Sequence, residues 1–165
     1  MQSPREALPA AKTAFESSAA AFDGSPEAHE ALAWAADMAG RWRARLEVLA
    51  VHPRIAFGGV SSAGAFGYQS ADDTLRRTLE KQMRDAIASL GPSVDVSARL
   101  LDGDPSTALV DASTELDLLT LGSRGYGPIR TVLLGSVSRT LVREGACSVV
   151  VLPRGAGANA GDATR

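Results

Sequence analysis

Apolar runs and amphipathic stretches alternate along this chain in an order that predicts β-α-β-α-β-α-β-α-β. In the second amphipathic stretch, Leu75, Leu79 and Met83 recur four positions apart, which is the spacing of one helical face. The runs between the helices are short and nearly continuous in apolar residues, as is typical of a parallel sheet covered on both faces. The pattern therefore predicts an α/β fold whose strands are residues 17–22, 45–51, 94–101, 117–122 and 148–152.

Local capping signals predict where the helices begin and end. Ser25 and Asp104 are residue types that favour the N-cap, and Pro26 and Pro105 follow them at the first helical position. Gly40 suits the end of the first helix. These signals agree with the hydrophobic pattern on where the first and third helices start.

The chain is predicted to hold one domain between two loose ends. Residues 15–153 carry the alternating pattern, whereas residues 1–14 are expected to form a flexible arm and residues 154–165 a disordered tail. Glycine and serine dominate residues 53–70, and we expect an irregular flap there.

Net charge and cysteine content indicate which classes of binding partner and which cellular compartment to expect. The net charge of −2 gives no electrostatic reason to bind nucleic acid or an anionic membrane surface. Cys147 is the only cysteine, so no intrachain disulfide forms and a reducing, cytoplasmic location is expected. Cys147 is predicted to pack as a small apolar side chain. No apolar stretch reaches the roughly 20 residues of a membrane helix.

A glycine-rich stretch follows the fourth predicted strand. In parallel sheets, ligands bind outside the carboxyl ends of the strands, and Gly122 lies at that edge. We expect Gly122, Gly125 and Gly127 to turn the backbone with positive φ and to expose successive N–H groups. This stretch is therefore a candidate ligand loop.

The last predicted helix, residues 136–144, opens on the same stretch. Its first amides, at Ser136, Val137 and Ser138, have no partner within the helix. A phosphate can accept hydrogen bonds from such amides and meets the positive end of the helix dipole. The alternative interpretation is a structural turn with a serine cap.

The spacing Gly122-x2-Gly125-x9-Gly135-Ser136 resembles the nucleotide-binding motif of the universal stress protein family. The resemblance covers roughly residues 15–153 and includes "FDGSPEAHEALAWAADMA", "LEVLAVH" and "LDGDP". It implies an open, Rossmann-like five-stranded parallel sheet and a homodimer. The family has ATP-binding and non-binding branches, and the intact glycine motif favours the ATP-binding branch.

The resemblance also implies which residues contact the nucleotide. Asp23 would lie near the ribose and phosphates and help to hold Mg²⁺, with a turn role beside Gly24 as the alternative. The backbone of Val51 would meet the adenine edge, with a plain core role as the alternative, and Ala21 would line the base pocket. The implied triphosphate contacts are Gly122, Ser123, Arg124, Gly125, Gly135, Ser136 and Val137.

Other residues are expected to have structural or surface roles. His29 is predicted to be exposed. His52 ends the second strand and is expected to face solvent at the start of a loop, with contact to a base as the alternative. The alanine-rich first strand, "SSAAAF", replaces the branched apolar strand usual in the family and predicts a thinly packed sheet centre.

The resemblance implies binding of ATP with Mg²⁺ and at most a weak ATPase. Catalysis is not expected to be the main function, because no serine–histidine–acid set is identifiable. Bound ATP would shape residues 53–70 and recruit or release an unknown partner protein. The alternatives are binding of AMP or cyclic AMP, or a stress protein that binds no nucleotide and acts as a dimeric interaction module. A dinucleotide enzyme lacks its G-x-G-x-x-G after the first strand, and a phosphorylated receiver lacks its lysine after the last strand.

The last predicted strand, residues 148–152, suggests how a homodimer forms. At a sheet edge it would present unpaired backbone groups. Pairing with the same strand of a second copy would cover them with two-fold symmetry. A C-terminal tail covering this edge is the alternative.

Overall fold

The computed structural model describes residues 15–53, 62–92, 94–123, 134–153 and Gly155. Over residues 62–69 it describes the helical backbone but not the side chains. The predicted arm and most of the predicted tail lie outside these residues. The elements are β1 (Ser17–Ala21), α1 (Pro26–Trp42), β2 (Arg45–His52), α2 (Ser62–Ala88), β3 (Val96–Asp102), α3 (Pro105–Ser113), β4 (Leu118–Gly122), α4 (Ser136–Glu144) and β5 (Ser148–Leu152).

The five strands form one parallel sheet in the order β3-β2-β1-β4-β5. The chain leaves β1 toward β2 and β3 on one side, and then places β4 and β5 on the other side. The strand order therefore reverses between β1 and β4, where Ser18 is paired with Leu118. This arrangement confirms the predicted α/β fold, and it opens a crevice at the carboxyl ends of β1 and β4.

Helices cover both faces of the sheet. On one face, α1 and α2 pack against side chains such as Val48, with Leu32 and Met83 buried in that cluster. On the other face, α3 and α4 bury Leu109 and Leu141 against the sheet. Both clusters draw on alternate residues of the same strands, because successive side chains of a strand point to opposite faces.

The middle of the alanine-rich strand β1 is fully buried, although its side chains are small. Ala19 and Ala20 are both fully buried. The facing side of α1 also presents alanines, including Ala35 and Ala39, to the same core. Because the facing residues are small on both elements, the helix lies close to the sheet, and the central strand is shielded from solvent.

Two helix boundaries differ clearly from the sequence prediction. The first helix does not end at Gly40 but continues to Trp42, and Arg43 ends it in the left-handed conformation with φ 56°. The flap predicted over residues 53–70 is wrong from Ser62 onward, because α2 begins there; residues 54–61 lie outside the described part. The amphipathic helix over the following residues extends back through residues 62–70 despite their glycine and serine content.

Cys147 packs half-buried against the cluster formed by α3 and α4, as predicted. Burial raises the pKa of its thiol, so this thiol stays protonated near neutral pH. Within the described parts of the chain, no helix combines the length and the apolar character required to cross a bilayer.

Candidate functional site

A cavity of about 440 Å³ lies at the carboxyl edge of the sheet, where the strand order reverses. It is bounded by the ends of β1, β2 and β4 and by the first turns of α1, α3 and α4. Its volume falls within the roughly 300–1,000 Å³ of small-molecule sites. Seven of the ten residues implied as nucleotide contacts line it: Ala21, Asp23, Val51, Gly122, Gly135, Ser136 and Val137.

The N-terminus of α4 presents uncapped backbone amides to this cavity. Gly135 occupies the N-cap with φ −63° and ψ 174°, and no described side chain makes a capping hydrogen bond. The first backbone bond of the helix runs from the Arg139 N–H to the Gly135 carbonyl at 3.0 Å. Among the described residues, the preceding amides at 136–138 have no hydrogen-bond acceptor within the helix, and they can act as donors to a ligand. The alternative of a serine-capped turn is wrong for this helix.

The N-terminus of α1 borders the same cavity but is capped. Ser25 Oγ accepts from the Ala28 N–H at 3.2 Å, and Asp23 Oδ1 accepts from the Ser25 N–H at 3.0 Å. Gly24 completes the turn with φ +78°. Asp23 thus has the turn role given above as its alternative, and it also lines the cavity.

Gly122 is required by a close approach and not by its backbone conformation. It lies within β4, in register with Leu152, and its φ is not in the left-handed region, so the prediction of a positive φ is wrong here. A Cβ at this position would lie 2.5 Å from the Glu27 carbonyl oxygen and 2.6 Å from its carbonyl carbon. Glycine therefore lets the first turn of α1 pack directly on the end of β4. Gly125 and Gly127 lie outside the described residues.

Ser123 contributes to the sheet instead of lining the cavity. Its N–H donates to the Leu152 carbonyl at 2.7 Å, and the residue is 1% exposed. The hydrogen-bond ladder between β4 and β5 thus extends one residue past β4 and occupies this amide. The remaining two implied contacts, Arg124 and Gly125, lie outside the described residues.

The charged groups of the described lining are two carboxylates, Asp23 and Glu27. Both are hard oxygen ligands of the kind that Mg²⁺ prefers. Within the described parts of the chain, no cluster of three or more histidine, cysteine, aspartate or glutamate residues forms a metal site. A cation bound by these two carboxylates would complete its coordination with water or with ligand oxygens such as those of phosphate.

The rest of the cavity wall is apolar, and sequence reasoning missed most of it. The same space is lined by Phe22, which follows β1, and by Leu49 of β2, Leu79 of α2 and Leu109 of α3. They are separated widely along the chain, and Leu79 lies in the middle of α2, so no local pattern places them in one wall. The arrangement combines an apolar wall with a row of amide donors.

His52 does not face solvent, which corrects the sequence prediction. It is 3% exposed and lies between the carboxylates of Asp72 and Asp102. It is not among the residues that line the cavity, although its neighbour Val51 is. The prediction failed because α2 and β3, which bury the imidazole, are distant in sequence. His29 is exposed as predicted, and its ring meets that of Phe22 edge-on at 4.9 Å.

Comparison with known proteins gives a consistent family match. The family model described as the universal stress protein family matches residues 19–153. A universal stress protein of Thermus aquaticus, in the QAH/OAS sulfhydrylase 3' region, is 34% identical over 144 residues, which cover 84% of this chain and 98% of the relative. A universal stress protein of Mycobacterium bovis is 29% identical over 79% of this chain, and the match spans only 46% of that relative's length.

Solved structures show the same architecture. A universal stress protein from Lactobacillus plantarum superposes with a TM-score of 0.66 at 21% identity, covering 84% of this chain and 98% of that one. A family member from Burkholderia pseudomallei gives a TM-score of 0.62 at 25% identity, covering 82% and 94%. A universal stress protein in complex with cAMP gives 0.57 at 24% identity, covering 85% and 98%.

Proposed function

This chain belongs to the universal stress protein family, and from that premise we propose that it binds ATP with Mg²⁺ and acts as a nucleotide-dependent regulator. The observation that carries this proposal is the pairing of a cavity of about 440 Å³ with a helix N-terminus that opens into it uncapped. Neither feature alone would select a nucleotide over another small ligand.

The phosphates would occupy the end of the cavity beside α4. Amides at Ser136, Val137 and Ser138 would donate to phosphate oxygens, which also meet the positive end of the helix dipole. Arg124 and Gly125 are proposed to complete this contact. Ser123 would act through its hydroxyl or through the shape of the loop, since its N–H already bonds Leu152.

The nucleoside would occupy the opposite, apolar end. Ala21 and Val51 line the cavity at the ends of β1 and β2, and Leu109 adds apolar surface from α3. An adenine ring would bury its faces there. Asp23 would face the ribose or share a Mg²⁺ ion with the phosphates, because a carboxylate beside polyphosphate needs a cation between them.

Binding, with slow hydrolysis at most, is the proposed activity. Occupancy would change the surface around the cavity, including residues 53–70, and so alter binding of a protein partner in the cytoplasm. A relative solved in complex with cAMP supports cyclic AMP or AMP as the second candidate ligand.

We also propose a homodimer that pairs β5 with its counterpart in a second copy. β5 is the last strand in the sheet order, and its residues from 149 to 152 are only partly buried in the single chain. The chain turns toward α1 after β5, where the Gly155 N–H donates to Glu30 Oε2 at 2.8 Å. Sedimentation of the purified protein would give twice the chain mass if this pairing forms, and the single-chain mass would refute it.

Thermal unfolding of nucleotide-free protein tests the ligand. With ATP and Mg²⁺ at about 100 times Kd, binding adds about 2.7 kcal/mol of stability and raises Tm by roughly 5–10 °C. Gly135→Val should abolish the rise by placing a branched side chain where the α4 amides meet the ligand. Gly91→Val is the matched control, because a Cβ at Gly91 meets nothing within 4 Å.

ADP, AMP, cAMP and NAD, each with and without Mg²⁺, complete the panel. A rise with AMP or cAMP alone would replace ATP as the ligand. No rise with any of them would assign this chain to the branch that binds no nucleotide.

A further inference from the structure

The two carboxylates of the described cavity lining differ in their surroundings. Asp23 is exposed, and its Oδ1 accepts from the Ser25 N–H at 3.0 Å. Glu27 is only 8% exposed, although it is a charged residue that lines the same cavity. Solvent screens the charge of an exposed carboxylate, whereas a buried carboxylate acts on its neighbours through a lower effective dielectric. Glu27 therefore has the stronger influence on the charge that a ligand can bring into the cavity.

The fold places Glu27 directly against the end of β4. Glu27 lies in the first turn of α1, where the positive end of the helix dipole favours a negative charge. A Cβ at Gly122 would lie 2.7 Å from the Glu27 Cβ, so these two residues are in close contact. Gly122 and the uncapped first turn of α4 line the same cavity as Glu27. The buried carboxylate thus shares its cavity with the amides that would bind phosphate.

This combination distinguishes between ligands that the amides alone would treat alike. Uncapped amides attract phosphate groups of every kind. A polyphosphate also brings several negative charges near Glu27, and juxtaposed like charges oppose binding. That repulsion is removed when a divalent cation lies between the two groups, and Mg²⁺ is commonly held by one or two carboxylates together with the phosphates of a bound ligand. A nucleoside monophosphate offers fewer oxygens for such a bridge.

We propose that Glu27 makes this site selective for the metal complex of a nucleoside polyphosphate and against its metal-free form, by sharing the cation with the phosphates. This inference rests on the proposed nucleotide binding and names the form of the ligand that the cavity accepts. The α4 amides supply affinity for phosphate, and Glu27 supplies the requirement for a cation. Asp23 contributes less, because its carboxylate is exposed and is used by the turn before α1.

Calorimetric titration with ATP, in the presence of either Mg²⁺ or EDTA, tests this selection. The unmodified protein should bind ATP about tenfold more tightly with Mg²⁺. Glu27→Gln keeps the size of the side chain and removes its charge, so the Kd for metal-free ATP should fall about tenfold, whereas the Kd with Mg²⁺ should not fall. A substitution that merely damaged the site would weaken binding of both forms. Tighter binding of metal-free ATP therefore separates selection from a structural role.

Glu30→Gln is the matched control, because it removes the same charge from the same helix. Glu30 is not among the described residues that line the cavity, and the amide oxygen of glutamine can still accept from the Gly155 N–H. Both Kd values should stay within about twofold of those of the unmodified protein. Adenosine, which has no phosphate, should bind equally to the unmodified protein and to Glu27→Gln.

Equal affinity of the unmodified protein for ATP with and without Mg²⁺ would overturn the selection but leave ATP binding intact. Metal-free ATP that binds Glu27→Gln no more tightly, or that gains as much from Glu30→Gln, would overturn it as well. If Glu27→Gln does not fold, Glu27→Asp decides, since it withdraws the carboxylate by one methylene; an undiminished preference for Mg²⁺ would then contradict the proposal. Absence of ATP binding to the unmodified protein under both conditions would instead refute the proposed nucleotide, and the selection with it.

Discussion

Two helix N-termini border the same cavity and differ in how their first amides are satisfied. In α1, Ser25 and Asp23 accept hydrogen bonds from the backbone of the first turn and the turn before it. In α4, Gly135 occupies the cap and supplies no side chain. Both termini carry the positive end of a helix dipole, so the dipole alone does not distinguish them.

The difference indicates which terminus is built for stability and which is left open to a ligand. At a capped terminus, a side chain of the protein accepts from a first-turn amide. The helix α3 is also capped in this way, since Asp104 Oδ2 accepts from the Thr107 N–H at 3.0 Å. An uncapped terminus beside a cavity must use water or a ligand for its donors. Only α4 meets this description among the helices whose caps the structure describes.

The largest expected effect comes from forcing the first turn of α1 away from the end of β4. Gly122→Val places a branched side chain against the Glu27 carbonyl, 2.5 Å from the position of its Cβ. The first turn of α1 must then move away from β4, and we expect a loss of about 3 kcal/mol in the free energy of unfolding. Urea unfolding measures this loss.

Gly91→Val is the control for that measurement. Its Cβ would meet nothing within 4 Å, so its effect should stay within about 0.5 kcal/mol. Equal losses for the two variants would mean that the contact between Gly122 and Glu27 does not hold these elements together.

Giving α4 the kind of cap that α1 has should separate stability from binding. In Gly135→Asp, a carboxylate would accept from an α4 amide and repel phosphate, and the free energy of unfolding should change by only a few tenths of a kcal/mol. ATP affinity, measured by calorimetric titration, should fall roughly tenfold to a hundredfold, as for loss of a hydrogen bond to a charged group.

Gly135→Asn is the companion variant, because it caps the same terminus without adding charge. It should lose less affinity than Gly135→Asp. Unchanged affinity in both variants would exclude the α4 amides from phosphate binding.

Removing the cap of α1 should have the opposite pattern. Ser25→Ala leaves the Ala28 N–H without its partner, and it should cost about 1 kcal/mol of stability. The rise in Tm with ATP should remain, since this amide is not proposed as a phosphate donor. A variant of normal stability that no longer responds to ATP would reverse the roles assigned to the two termini.

The smallest effect is expected at α3. Hydrogen bonding from the Thr107 backbone N–H lowers the pKa of Asp104. A carboxyl whose pKa is lower in the folded state stabilises the fold above its unfolded-state pKa, and this contribution disappears as the pH falls through the folded-state pKa. Thermal unfolding from pH 6 down to pH 3 should therefore show the unmodified protein losing stability relative to Asp104→Asn below about pH 4. A constant difference over that range would contradict this.

Local signals predicted the fold, and seven of the ten residues implied as nucleotide contacts line the cavity. The caps at Ser25 and Asp104 act within three residues of themselves, so a short stretch of sequence contains the whole interaction. The strands were likewise predicted from short apolar runs, and their parallel arrangement was predicted from the helices between them.

Contacts between distant segments were beyond sequence reasoning. Gly122 was assigned to a turn. The structure instead requires glycine there because the backbone of Glu27, almost a hundred residues earlier, leaves no room for a Cβ. His52 was expected in solvent, yet α2 and β3 enclose it with Asp72 and Asp102. Such contacts are set by how the elements pack, and no pattern within either segment reveals them.

The amide resonances of α4 report most directly on whether its open terminus binds the phosphates. In a ¹⁵N–¹H titration of nucleotide-free protein with ATP and Mg²⁺, the backbone amides of Ser136, Val137 and Ser138 should shift strongly and saturate together. The Thr107 amide, which Asp104 caps, should stay nearly unchanged. If ATP saturates the protein while the α4 amides do not move, the phosphates bind elsewhere and the role assigned to the uncapped terminus is wrong.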